Sequence, residues 1–469
     1  MDEKQDSTRR PVNPRRKQRT QVQIFKEAYL PAIVACVALL LIVIFIIGSI
    51  SRGVQRRKFE QQQQLEASIS ASETLERLTK EADERLQQAE ALAQHFDYAG
   101  AIAIIDEFSG NIQEFSQLSQ KRASYEQAKK DMVLWEDVNE VLNLSFQLLI
   151  ADPGRAFRDA TYGTSYNRNF ITVEEFRKIL NQLYENDYIL ISMSDILSGT
   201  QLQDLYLPSG KKPLILTQTQ VNYYTYMTDS DGDKRPDKGG DGFASKLIVD
   251  ENGKLTCEMI DSSGQLQTGE YDLVPILESF IAEHPDFSYK GARAILAVTG
   301  YDGLFGYRTN ASAKSFFGEV AYNEEVAGAT KIVNALRAAG YEIACYTYKN
   351  IAYGTSNSTK IQQDLEKWVE EVAPILGKTD TLVFARDSDI SNTTASYSGD
   401  KFDTLYSYGF INYLGFCNSG IPWFAAQIDH VRQGRILVSG TNLAHNADWF
   451  NGIFDAASVL DTTRGTIPA

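Results

Sequence analysis

The chain has 469 residues, 43% of them hydrophobic, and a formal net charge of −15; this is apolar material for at least one large core and one or two domains beside a membrane segment. The charge is uneven, with 12 Lys/Arg against 4 Asp/Glu in residues 1 to 58 and 34 against 57 in the remainder, so the body repels nucleic acid and anionic lipid, which argues against a polyanion-binding role. Four scattered cysteines, Cys36, Cys257, Cys345 and Cys417, exclude a disulfide framework and show no metal-ligand spacing. From Ala28 to Ser51 there is no charged residue, and at about 1.5 Å per residue the apolar core can cross about 30 Å of hydrocarbon as a helix. The preceding tail, with Arg9, Arg10, Arg15, Arg16, Lys17, Arg19 and Lys26, outweighs Arg52, Arg56, Arg57 and Lys58 beyond it. The positive-inside bias therefore makes residues 1–29 a cytoplasmic tail, 30–50 a single membrane span, and the rest extracellular. A long tail, an overlong apolar run and the lack of an A-x-A-like site speak against a cleaved signal peptide.

Residues 51–135 read as a helical stalk, rich in Gln, Glu, Ala and Leu from residue 59 onward. Leu75, Ala82, Ala89 and Phe96 recur every seven residues, but Arg85 interrupts the companion positions Leu78 and Leu92, which is too broken for a coiled coil. The stretch AEALAQHFDYAGAIAIIDEFSG instead reads as one helical hairpin of tetratricopeptide type turning at Asp97–Gly100, a spacer or a docking surface for a protein partner. His95 there reads as a packed or solvated helix residue rather than a ligand.

Residues 136–469 have the composition of an α/β domain. The amphipathic helix Val173 to Tyr184 is announced by Thr172 with Glu175 three residues on. Leu214-Ile215-Leu216 reads as a buried strand that ends in the polar Thr217-Gln218-Thr219-Gln220, and a hairpin follows at Asn252-Gly253. Helices at 273–283, 324–339, 360–376 and 402–408 then alternate with strands at 294–298, 341–348, 381–385, 410–416 and 435–439. Six or seven strands alternating with helices predict a parallel sheet, open or closed into a barrel.

The order of FQLLIADPGRAF, ITVEEFRKILNQLYENDYILI, LPSGKKPLIL with VNYYTYM, GFASKLIVDENGK, AILAVTGYDGLFGYRT, GYEIACYTYKN and YSGDKFDTLYSYGF resembles the polysaccharide deacetylases, the NodB-homology carbohydrate esterases, and among them a membrane-anchored bacterial group. The resemblance covers most of residues 89 to 460 and implies a deformed (β/α)7 barrel of the glycoside hydrolase/deacetylase type. In that family an aspartate and two histidines hold a divalent metal, and a second aspartate removes a proton from the attacking water. The aspartate pair falls here at Thr219 and Gln220, and the histidines at Tyr346 and Asn350; the groove motif falls near Ala385-Arg386-Asp387-Ser388, and Gln147 stands where active relatives carry a histidine. Leu443-Ala444-His445 matches the family's Leu-x-His element, leaving His445 either as a residual acid or as an ordinary loop residue. Losing all three ligands makes tight metal binding at this site improbable.

Asp229, Asp231 and Asp233 stand at alternate positions with Asp237 four residues on, either a weak calcium loop or a solvated insertion. Tyr223, Tyr224, Tyr301, Tyr307 and Tyr346, with Arg386, are candidates for a glycan groove, since a tyrosine offers a sugar both an apolar face and a hydroxyl. The sequence thus predicts a membrane-anchored, deacetylase-like protein that binds or scaffolds an envelope polysaccharide or peptidoglycan without hydrolysing it, with no cofactor at the degenerate site. The alternative is an active deacetylase using rearranged ligands such as Asp387, Asp389 or His445.

Overall fold

The computed structural model describes residues 21–391, 393 and 396–468; the arginines of the basic tail, from Arg9 to Arg19, lie outside them. The described residues fall into two compact units that divide between Glu81 and Ala82. Helix α1 spans Leu30–Gln94, and its first part contains a segment long and apolar enough to cross a membrane. Leu39, Leu40, Leu41, Ile42, Val43, Ile44 and Phe45 are all exposed, an arrangement that water penalises and hydrocarbon does not.

In the second unit, α2 (Tyr98–Asp106) begins at Asp97, whose carboxylate accepts the Gly100 N–H at 2.9 Å. It pairs with α3 (Ser116–Lys130). The Lys290 N–H donates to the His95 carbonyl at 2.7 Å, and the His95 ring bonds the Ser288 carbonyl at 3.0 Å. Phe96, Met132 and Trp135 pack against the same apolar cluster as the barrel interior. The end of the hairpin therefore packs directly against the barrel.

Seven parallel strands close on themselves: β1 Leu142–Phe146, β2 Lys212–Thr219, β3 Ile295–Val298, β4 Glu342–Cys345, β5 Thr381–Val383, β6 Asn412–Phe416 and β7 Val431–Leu437. Ile295 pairs with Thr217 to join β3 to β2, and Ile436 with Leu144 to join β7 to β1. The β4–β5 seam is held by the single register pair Cys345↔Leu382, against five pairs between β1 and β2, and this uneven pairing deforms the (β/α)7 barrel. Tyr188–Leu190 adds outside β2, and Phe424–Ala426 runs antiparallel to β7.

Local chemistry explains the elements. Helix α4 (Val173–Glu185) carries a complete capping box, Glu175 N–H to Thr172 Oγ1 at 3.1 Å and Thr172 N–H to Glu175 Oε2 at 2.7 Å. Asn252-Gly253 turns the Lys246–Val249/Leu255–Ile260 hairpin, with Gly253 at φ 82°. The helix expected at 360–376 breaks into α5 (Ser358–Glu371) and Ala373–Leu376 because Pro374 cannot donate within it. Alternation along β4 sends Ile343 and Cys345 into the helix-facing core and Ala344 and Tyr346 into the barrel interior.

Glu342 opens β4 and accepts the Met193 N–H at 3.0 Å. Burial, with repulsion from Asp380 and Asp195, raises its carboxyl from 4.5 to about 7. Folding thus favours the protonated form, a stabilisation that is full below about pH 4.5 and lost as pH rises through about 7. Glu342→Gln keeps the Oε1 acceptor without the charge. Its melting temperature relative to the parent should rise between about pH 5 and about pH 8; a difference that stays constant across that range would contradict the assignment.

Candidate functional site

The carboxyl ends of the strands converge on a mouth whose floor is made of amides. Gln147 follows β1, Gln220 follows β2, and Asn350 lies on the turn after β4. Asn350 Nδ2 donates to Gln220 Oε1 at 3.2 Å, and Gln220 Nε2 approaches Gln147 Oε1 at 3.5 Å. Gln220 and Asn350 both adopt left-handed backbone, φ 60° and 51°. Asparagine tolerates that region and glutamine does so at a cost of order 1 kcal/mol, so the geometry is held by its surroundings. Asn350 Oδ1 is buried without a hydrogen-bond partner.

Thr219 turns its hydroxyl onto the Phe146 carbonyl at 3.2 Å, joining β2 to β1. Tyr346 is buried, and its Oη accepts the Arg386 N–H at 3.4 Å, while Arg386 Nε donates to the Asn350 carbonyl at 2.9 Å. Beneath them Arg435 of β7 is 1% exposed. It donates to Ser145 Oγ at 2.9 Å and to the Phe384 carbonyl at 2.8 Å, with Asp387 3.8 Å away. Burial raises the Tyr346 phenol and the Asp387 carboxyl, and the positive charge of Arg435 opposes both shifts.

One wall is a tyrosine stack. Tyr224 lies nearly parallel to Tyr301, ring centroids 5.2 Å apart, and to Tyr226, 5.8 Å apart, spacings suited to offset stacking. The Tyr224 hydroxyl shares a hydrogen bond of 2.8 Å with Thr299 Oγ1, and Tyr226 is exposed. Asn222, which sequence reasoning passed over, sets this wall: its amide donates to the Thr299 carbonyl at 2.7 Å and accepts the Thr299 N–H at 2.9 Å. Tyr223 and Tyr307 lie elsewhere. The Tyr223 hydroxyl donates to buried Asp272 at 2.7 Å, and Lys246 covers the Tyr307 ring at 4.3 Å.

Asp389 accepts from the Tyr397 hydroxyl at 2.6 Å and from Arg432 at 3.0 Å. His445 ends the short helix Gly440–His445, with Nε2 2.9 Å from the Ile467 carbonyl. Among the described residues the one group of three carboxylate, imidazole or thiol ligands within 4.8 Å of one another is Asp229, Asp231 and Asp237. Asp233 is outside that trio and accepts the Arg235 N–H. Asp387, Asp389 and His445 do not assemble into such a group. The residues at Thr219, Gln220, Tyr346 and Asn350 therefore do not fit the divalent metal that the family resemblance implies, since neutral amides, a hydroxyl and a phenol supply neither the carboxylate charge nor the imidazole nitrogens that hold such an ion tightly. What the mouth can offer is hydrogen bonds and aromatic faces.

No family description matches this chain, and no curated protein matches it in sequence. Solved structures similar to it include the Streptococcus pyogenes deacetylase PplD in complex with acetate, at 12% identity and TM-score 0.34 over 66% of this chain and 95% of that one. A de-N-acetylase from Aggregatibacter actinomycetemcomitans aligns at 10% identity and TM-score 0.35 over 64% and 95%.

Arg435 was equally unforeseen; the signal for it is two arginines, Arg432 and Arg435, in a short strand-like run, Val431 to Leu437. Arg435→Met strands Ser145 Oγ and the Phe384 carbonyl in the interior, and should cost about 2 to 3 kcal/mol in a urea unfolding titration; a loss below about 0.5 kcal/mol would contradict this placement.

Proposed function

We propose that the chain is a membrane-anchored, polysaccharide-deacetylase-like protein whose barrel binds a cell-envelope glycan and does not hydrolyse it. The observation that carries this reading is the amide chain Gln147–Gln220–Asn350, standing where the family's catalytic carboxylate and imidazole ligands would be, beside the Tyr226–Tyr224–Tyr301 stack. Amides and tyrosine faces can hold sugar hydroxyls and ring faces, but they provide no base poised near neutral pH. In the same reading the exposed apolar segment of α1 spans the cell membrane, the basic tail is cytoplasmic and the barrel faces outward.

The trio Asp229, Asp231 and Asp237 is proposed to take calcium weakly, at the millimolar concentrations found outside cells. Asp229 already orders the loop by accepting the N–H groups of Asp231, Gly232 and Lys234. A bound ion would brace the rim after β2.

Full-length protein in detergent, given chitotetraose and about 1 mM zinc, cobalt or nickel, should release no acetate above buffer and still bind the sugar saturably. Tyr224→Ala and Tyr301→Ala should each weaken binding about tenfold or more. Metal-dependent acetate release would establish the active deacetylase in its place. Calcium at about 5 mM should raise the melting temperature of the parent and leave Asp231→Asn unmoved; equal shifts in both would remove the calcium proposal.

A further inference from the structure

Beyond the amide floor, a groove of about 530 Å3 runs from Tyr301 to α5, and Lys349, Lys360 and Lys367 line it together with Asp364 and Glu371. Its two carboxylates are committed internally. Asp364 is buried and accepts the N–H groups of Tyr348 and Lys349 and the Tyr353 hydroxyl. Glu371 accepts the Tyr348 hydroxyl at 2.7 Å and the Ala311 N–H at 2.8 Å, and Lys367 sits 3.6 Å from its other oxygen. Lys349 and Lys360, by contrast, are exposed and enter no ion pair among the described residues. On the other side of Asn350, Arg386 is exposed and spends its Nε on a neutral carbonyl; burial and the charge of Asp302, itself bonded to Thr225 and Arg308, raise the Tyr301 phenol, and the charge of Arg386 opposes them. Three cations without an ion-pair partner among the described residues thus border the outer ring of the tyrosine stack, the charge of Lys349 acting also on buried Asp364.

We propose that the mouth selects an anionic glycan, its sugar rings on Tyr301 and Tyr226 and its carboxylate or phosphate substituents paired with Lys349, Lys360 and Arg386. The proposal rests on the glycan-binding reading and adds the charge of the ligand to it. The net −15 of the whole chain acts in the opposite direction. At about 0.1 M salt, however, charges more than about 10 Å away are largely screened, while contact pairs survive. The groove is therefore suited to a sparsely charged oligosaccharide held at close range, and not to a densely charged polymer drawn in from a distance.

The test uses full-length protein and three probes on one backbone: chitotetraose, its 6-O-carboxymethyl derivative and its 6-O-phosphate. In about 100 mM salt the charged probes should bind about tenfold or more tightly than the neutral one, and the ratio should shrink in about 500 mM salt. In Lys349→Gln/Lys360→Gln the ratio should fall toward one, whereas Tyr301→Ala should weaken all three probes. A preference for one charged probe over the other identifies the anion as carboxylate or phosphate. Equal affinity for charged and neutral probes, or a ratio unchanged in the double variant, overturns the charge proposal and leaves glycan binding standing. No binding of any probe overturns both.

Discussion

The structure depends on a polar network inside the barrel. Thr217 donates to Asn143 at 2.9 Å, Asn143 to Gln433 at 3.0 Å, and Gln433 to the Val141 carbonyl at 3.2 Å; one layer nearer the mouth, Arg435 spans Ser145 and the Phe384 carbonyl. These bonds tie β1, β2, β5 and β7 across the lumen. Each is worth only about 1 kcal/mol net when made, but a buried donor or acceptor left alone costs more, so register shifts that break the network are disfavoured out of proportion to its strength. Apolar residues such as Ile215, Ala297, Val383 and Leu414 fill the remaining interior. The mouth is aligned only because the strands below it are locked in this register.

That same network explains where the sequence was legible and where it was not. Strands buried on both faces with apolar side chains, Leu214–Leu216 and Ile295–Val298, announce themselves as apolar runs. Leu142–Phe146 alternates apolar residues with Asn143 and Ser145, and Val431–Leu437 carries Arg432, Gln433 and Arg435; Asn143, Ser145, Gln433 and Arg435 bond to one another across the barrel interior, inverting the usual rule that polar residues face solvent. The reading therefore overlooked the first strand and began the last one four residues late. The capping box and the Asn-Gly turn were legible because their chemistry is local. The union of hairpin and barrel was not, because contacts such as that of His95 with Ser288 join residues 193 apart in sequence.

At the mouth, sequence reasoning located Gln220, Tyr346 and Asn350 through a resemblance, and the geometry supplied what position alone lacks. Gln220 and Asn350 touch; Tyr346 reaches them through Arg386. Of the tyrosines singled out, Tyr224 and Tyr301 stack, whereas Tyr223, equally buried, turns the other way onto Asp272, with a left-handed backbone at φ 50°. No composition or spacing rule separates two adjacent tyrosines in this way. Asn222, which fixes both sides of the Thr299 peptide, was hidden for the same reason.

Amides do not titrate between acid and alkali, and burial lifts the Tyr301 phenol to about 12 and raises that of Tyr224 well above its ordinary value. The floor and the stacked wall consequently keep a single protonation state from mildly acid to mildly alkaline solution. A site of this composition works as a fixed template: its shape and hydrogen-bonding pattern pass unchanged through swings of acidity that would switch a histidine- or carboxylate-based centre on and off.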